Sequence, residues 1–266
     1  MKKIFLGVFV GIMVLIVSGV AGAEPRDKAG EKGIGPWKFV PDAPNNSIRY
    51  RDIGNDLIQY EVIHYKNKKD FVRPETAKAA KLPTCYKFLT PTKVKWTTLP
   101  VNYVINPTNP QGLAETFIDG AVFNSAETWD AATSKELMNN TFTTDGTAAY
   151  GVQNYKNAIV FGNYSTAGVI AVTSVWYNTR LGKIVEFDMM FDTDWVWGDT
   201  TNPETPDVMD LQNIATHELG HGVGLADVYE TACNVVTMYG YSDYGEIQKR
   251  TLEIPDVKGL QTLYGN

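Results

Sequence analysis

Two of the chain's three histidines stand four residues apart in His217-Glu218-Leu219-Gly220-His221, and no other segment of the 266-residue sequence restricts its own surroundings as tightly. The run before it, Asp207 to Thr216, reads as a helix: Asp207 is a candidate N-cap and Leu211, Ile214, Ala215 and Leu219 form an apolar stripe. At about 100° per residue, positions four apart lie about 40° apart around the axis. Both imidazoles therefore project the same way and can each give one ring nitrogen to a single tetrahedral metal. Glu218 falls about 100° from His217 on the same wheel, on the apolar side between Leu211 and Ile214. A carboxylate there is costly unless it has a proton or an activated water to handle. Gly222 and Gly224 then break the helix and turn the chain back. The turn lets Asp227 reach the metal from the other side, so the expected ligands are His217, His221 and Asp227, with Glu218 as the expected base.

The full run His217-Glu218-x-x-His221-x-x-Gly224-x-x-Asp227 resembles the metzincin zinc signature, with Asp where most members have a third His, as in snapalysin-type members. Val235-Val236-Thr237-Met238-Tyr239-Gly240 resembles the metzincin Met-turn, whose Met238 would form an apolar floor under the metal. Leu252 to Gly265 is similar to the C-terminal helix of the matrixins. The resemblance covers residues from about 95 to 266. It implies an α+β zincin fold: a twisted, mainly parallel mixed sheet, two long helices, and a small C-terminal lobe with the Met-turn and a C-terminal helix. It further implies a zinc-dependent endopeptidase acting on protein or peptide substrates. In such enzymes an edge strand lies antiparallel to the substrate, and Val169, Ile170, Ala171 and Val172 are the positional match. Structural calcium is a further implication, with Asp188, Asp192 and Asp194 as the candidates.

The remaining sequence sets the context. Lys2 and Lys3 precede an apolar run ending in Ala21-Gly22-Ala23, the pattern of an export signal over 1–23. The expected product is secreted or held at the cell surface, without stable membrane insertion once the signal is cut. Residues 24–93 hold lysine-rich stretches and only short candidate strands such as Leu57 to His64, an expected loosely built N-terminal region or propeptide before a catalytic domain at 94–266. Within that domain, apolar spacing predicts a helix near 112–131, and strands are expected at 101–105, 158–161, 169–176 and 184–191. Lys plus Arg number 24 against 30 Asp plus Glu, which argues against nucleic acid as a partner; a monomer is expected. The two cysteines, Cys85 and Cys233, admit two arrangements. They pair as one disulfide, or Cys85 acts as a matrixin-like latency thiol on the zinc and leaves Cys233 free. A competing reading of the whole is a non-catalytic cell-surface or binding module that a metal stabilises. Structural zinc sites normally fill four positions with protein ligands, whereas three ligands and a Glu stand here. Tyr239 and Tyr241 are near enough in sequence to serve as oxyanion donors or simply to pack.

Overall fold

Val-, Ile- and aromatic-rich runs separated by Asn and Gly turns build one large sheet, and the two apolar-striped helices lie behind it. The computed structural model describes residues 34–41, 43–67 and 85–266, and from Ile34 to Asn266 the chain is a single unit. The expected export signal at 1–23 and the lysine-rich stretches after Asn67 lie outside the described residues. The strands are β1 (Lys38–Phe39), β2 (Ile48–Gly54), β3 (Leu57–Lys66), β4 (Lys87–Phe88), β5 (Val104–Ile105), β6 (Thr143–Thr144) and β7 (Ala158–Gly162). They continue with β8 (Val169–Asn178), β9 (Lys183–Asp192), β10 (Trp197–Gly198), β11 (Met209–Asp210), β12 (Leu225–Ala226) and β13 (Tyr241–Ser242). The helices are α1 (Glu115–Asp130), α2 (Leu211–Gly222) and α3 (Ile254–Tyr264).

The main sheet runs β1-β2-β3-β8-β9-β7-β5-β6, with β13 added beside β3. Strands β9, β7, β5 and β6 are mutually parallel, and β8 is antiparallel to β9. This α+β arrangement is the one the resemblance implied. The boundaries of the expected helices move little: the helix expected near 112–131 is Glu115–Asp130, and the C-terminal helix is Ile254–Tyr264. The strand expected at 101–105 shortens to Val104–Ile105, with Val101 making an isolated bridge to Met138.

One expectation is overturned. Residues 34–67 are not loosely built, because β1, β2 and β3 belong to the main sheet. Asn55 and Asp56, both left-handed at φ 54° and 61°, form the two-residue turn that folds β2 back on β3. β3 then pairs with β8 from Leu57 opposite Asn178 to Tyr65 opposite Val169. Strand β8, expected at a free edge, is thus flanked on both sides. Among the described residues, no helix is long and apolar enough to cross a membrane.

Candidate metal centre

Helix α2 is fixed before it presents any ligand. Its N-cap is Asp210 rather than Asp207, with Oδ1 accepting from the Asn213 backbone N at 2.9 Å, since the helix begins three residues later than the sequence pattern suggested. The α1 face that carries Trp129 packs against it, and Trp129 Nε1 donates to the Thr216 carbonyl at 2.7 Å. At the other end the chain leaves through Gly224 at φ +105°, where an added Cβ would sit 2.6 Å from the Val94 carbonyl oxygen. Only glycine fits that conformation and that gap.

The two rings then share a corner. His217 Nδ1 donates to the Thr237 carbonyl at 2.7 Å, and His221 Nδ1 donates to the Leu225 carbonyl at 2.9 Å. In its neutral form each ring therefore carries its hydrogen on Nδ1 and turns the lone pair of Nε2 toward the same point. The two Nε2 atoms are 3.2 Å apart, and Asp227 Oδ1 lies 3.0 Å from one and 3.5 Å from the other. Asp227 Oδ1 makes no hydrogen bond, while Oδ2 accepts from the Tyr229 hydroxyl at 2.7 Å. All three residues are buried. Burial would raise the Asp227 carboxyl, but the two imidazoles hold it well below the usual carboxylate range. Burial alone would lower both imidazoles. It takes His217 down to about 3, whereas Asp227 and Glu218 hold His221 above its ordinary value. Three acceptors converge on one point from a charged carboxylate and two rings whose other nitrogens are already occupied. That donor set fits a tetrahedral cation with one position left open.

Met238 lies under this corner. It is fully buried against Gly220, where an added Cβ would fall 2.2 Å from its sulfur. The N-terminus of α3 holds the turn in place: Asp256 accepts from the backbone N of Thr237 at 2.9 Å and of Met238 at 3.2 Å. Tyr239 and Tyr241 stack edgewise at 5.8 Å, and Tyr241 also meets Tyr229 at 5.3 Å.

Glu218 adjoins the same corner and is 0% exposed; burial pushes its carboxyl up to about 7. Its Oε2 accepts from Thr173 Oγ1 at 2.5 Å. Its Oε1 lies 3.1 Å from Nδ1 of His64, the third histidine, which arrives on β3 from 154 residues away in sequence. Burial, with the Lys249 ammonium beside the ring, pulls His64 well below its usual pKa, so its ring is neutral. Lys249 Nζ stands 3.4 Å from His64 Nε2 and also donates to the Tyr239 carbonyl. An ionised Glu218 oxygen can only accept, so the His64 ring donates to it from Nδ1.

Sequence reasoning missed His64, Thr173, Tyr229 and Lys249 at this centre. Its one available cue was that His64 is the sole histidine outside the motif and sits in an apolar run. Cys85 and Cys233 are joined as a disulfide with Cα atoms 5.4 Å apart, so Cys85 is no latency thiol. The calcium candidates do not converge. Asp188 accepts from the backbone N of Gly151 and Ala158, Asp192 from that of Asp194, and Asp194 from Asn163.

No curated protein matches the chain in sequence. The matrixin family model matches residues 95–265, a span that takes in every element from β5 to α3. With that match over most of its length, and with the buried His217, His221, Asp227 and Glu218 set it encloses, the chain belongs to the matrixin family of metallopeptidases.

Proposed function

We propose that the chain is a secreted zinc endopeptidase that hydrolyses peptide bonds in protein or peptide substrates. The observation that carries the reading is the convergence of three potential ligand atoms, His217 Nε2, His221 Nε2 and Asp227 Oδ1, beside a buried carboxylate that is not one of them. Zinc held by those three atoms would supply Lewis acidity, polarising a scissile carbonyl and acidifying an attacking water. Glu218 takes the proton of that water and passes it to the leaving amine, and its raised pKa suits a group that must both accept and release. Thr173 Oγ1 holds the carboxylate in orientation. The Thr237 and Leu225 carbonyls and the Tyr229 hydroxyl hold the three ligating groups in place. Export is supported by the leader-like segment 1–23 and by the Cys85–Cys233 disulfide, which persists in oxidising surroundings.

The test separates metal from chemistry on the full chain. Glu218→Ala should keep one zinc per chain and lose casein cleavage by about 10²–10⁴-fold. Asp227→Ala should lose zinc as well. Wild-type turnover in Glu218→Ala would remove Glu218 as the base, and unchanged zinc content in Asp227→Ala would remove Asp227 from the metal.

A further inference from the structure

Lys249 is 0% exposed, and among the described residues it is the one lysine or arginine that is buried. Taking an ammonium out of water is costly unless opposite charge or good acceptors receive it, so a lysine in this position calls for a physical reason. The chain holds it there with a short 3-10 turn, Gln248–Arg250, whose two cationic neighbours point opposite ways. Arg250 stays near the surface and grips the N-cap of α2, with Nε 2.8 Å from Asp210 Oδ1 and Nη2 2.6 Å from Asp199 Oδ1. Lys249 points inward. Its backbone N donates to Asn213 Oδ1 at 2.7 Å, one turn before His217 on α2, and its Nζ donates to the carbonyl of Tyr239, the residue after Met238.

The ammonium ends behind the first metal ligand. Nζ lies 3.4 Å from His217 Nδ1, on the edge of the ring away from the corner where the ligand atoms meet, and 3.4 Å from His64 Nε2. Its charge is felt across the centre: burial, and next to it this ammonium, take His217 down to about 3, and the ammonium opposes the rise that burial gives Glu218.

The formal charges of the centre give the lysine its reason. Asp227 and Glu218 are both buried, so two carboxylates serve one cation site. Three neutral imidazoles and one carboxylate base around a divalent ion would leave one net positive charge. The aspartate at 227, standing where the family signature usually has a third histidine, removes it. Lys249 puts it back. The sum matters because negative charge develops on the carbonyl oxygen as water attacks, and a centre that is neutral overall stabilises that charge less than a positive one.

We infer that Lys249 is the counter-charge to the Asp227 ligand: its ammonium, held behind His217, offsets the negative charge that an aspartate brings to the metal and keeps the centre able to polarise a carbonyl. The inference rests on the peptidase reading for its catalytic consequence, and its consequence for metal binding stands apart from that reading. An ammonium repels the cation whose chemistry it assists. Removing the charge should therefore tighten zinc and slow cleavage together, whereas a lysine that only braced α2 against the Met238 turn would loosen zinc when lost.

The test uses the full chain as wild type, Lys249→Met, Lys249→Gln, and Lys249→Met combined with Asp227→His. Zinc dissociation constants are read by competition with a chelating dye, and casein cleavage is read on the zinc-loaded proteins. Lys249→Gln keeps a donor for the Tyr239 carbonyl, so it answers even where the Met variant fails to fold. Both single variants should bind zinc at least about tenfold more tightly and cleave casein at least about tenfold more slowly, as loss of a full charge a few ångströms from a ligand requires. Adding Asp227→His to Lys249→Met should recover most of the lost cleavage, because a neutral ligand needs no counter-charge. Zinc affinity that is unchanged or weaker in Lys249→Gln, or cleavage that Asp227→His fails to recover where wild type cleaves, would overturn the inference. Tighter zinc in both Lys249 variants of a chain whose wild type leaves casein intact would uphold the counter-charge and sink the peptidase reading.

Discussion

Asp227 divides its two oxygens between two tasks: Oδ1 is left bare beside the two Nε2 atoms, and Oδ2 is held by the Tyr229 hydroxyl. That division depends on Tyr229, whose single proton goes to Asp227 while its oxygen accepts from Ser47. Without it the carboxylate can turn, and the buried Oδ2 loses its donor. Groups that orient a ligating residue typically govern metal affinity by about 10–100-fold. Tyr229→Phe should therefore weaken zinc binding by that factor with the fold retained, measured by competition with a chelating dye; an unaltered affinity would show that Asp227 needs no such support. None of this was visible in the motif, where Tyr229 is only the second residue after a candidate ligand.

At the scale of elements, the end of α2 and the segment around Cys85 are each held by one covalent choice. Gly224→Ala forces a left-handed residue against the Val94 carbonyl, which costs about 1–3 kcal/mol in backbone strain alone. Its urea midpoint should fall accordingly, and an unchanged midpoint would mean that the turn can be remade without glycine. Replacing Cys85 and Cys233 by Ser opens a closure of 148 residues in sequence separation and should cost about 2–5 kcal/mol, read from the same transition. The elements these residues terminate were legible in the sequence, because a helix writes its period into its own residues: Ile118, Val122, Ala126 and Trp129 on α1, Leu211, Ile214 and Leu219 on α2. Two residues of the candidate metal centre were legible for the same reason, since His217 and His221 share one helix face. The hairpin's place was not. Leu57 to His64 reads as a strand, but nothing in an alternating run names its partner, and the pairing of His64 with Ala171 or its contact with Glu218 joins residues more than a hundred positions apart.

Over the whole molecule, several carboxyls are buried where solvent cannot stabilise their charge. Burial raises Asp188 to about 7, against the opposing pull of the backbone N–H groups it accepts from, and raises Asp130 and Asp256 to about 6. Asp188 sits in β9 opposite Ala158 and accepts from the Gly151 and Ala158 amides, with Glu186 on the same strand adding to the upward push on its carboxyl. The unfolded chain releases this proton near pH 4, whereas the folded chain keeps it to about 7. Between those values the native state binds more protons, so the contribution of Asp188 to stability is fully present below about pH 4 and is lost as pH rises through about 7. The slope within the window is at most about 1.4 kcal/mol per pH unit. Asp188→Asn cannot titrate, and it exchanges one acceptor for a donor facing a backbone N–H, a pH-independent cost of about 1–3 kcal/mol relative to the protonated wild type. The difference in unfolding free energy between wild type and Asp188→Asn should therefore be largest at acidic pH and shrink steadily from pH 4 to 7. Urea titrations at half-unit intervals measure it, and a difference that stays constant or grows with pH would show that Asp188 is ionised in the folded protein throughout.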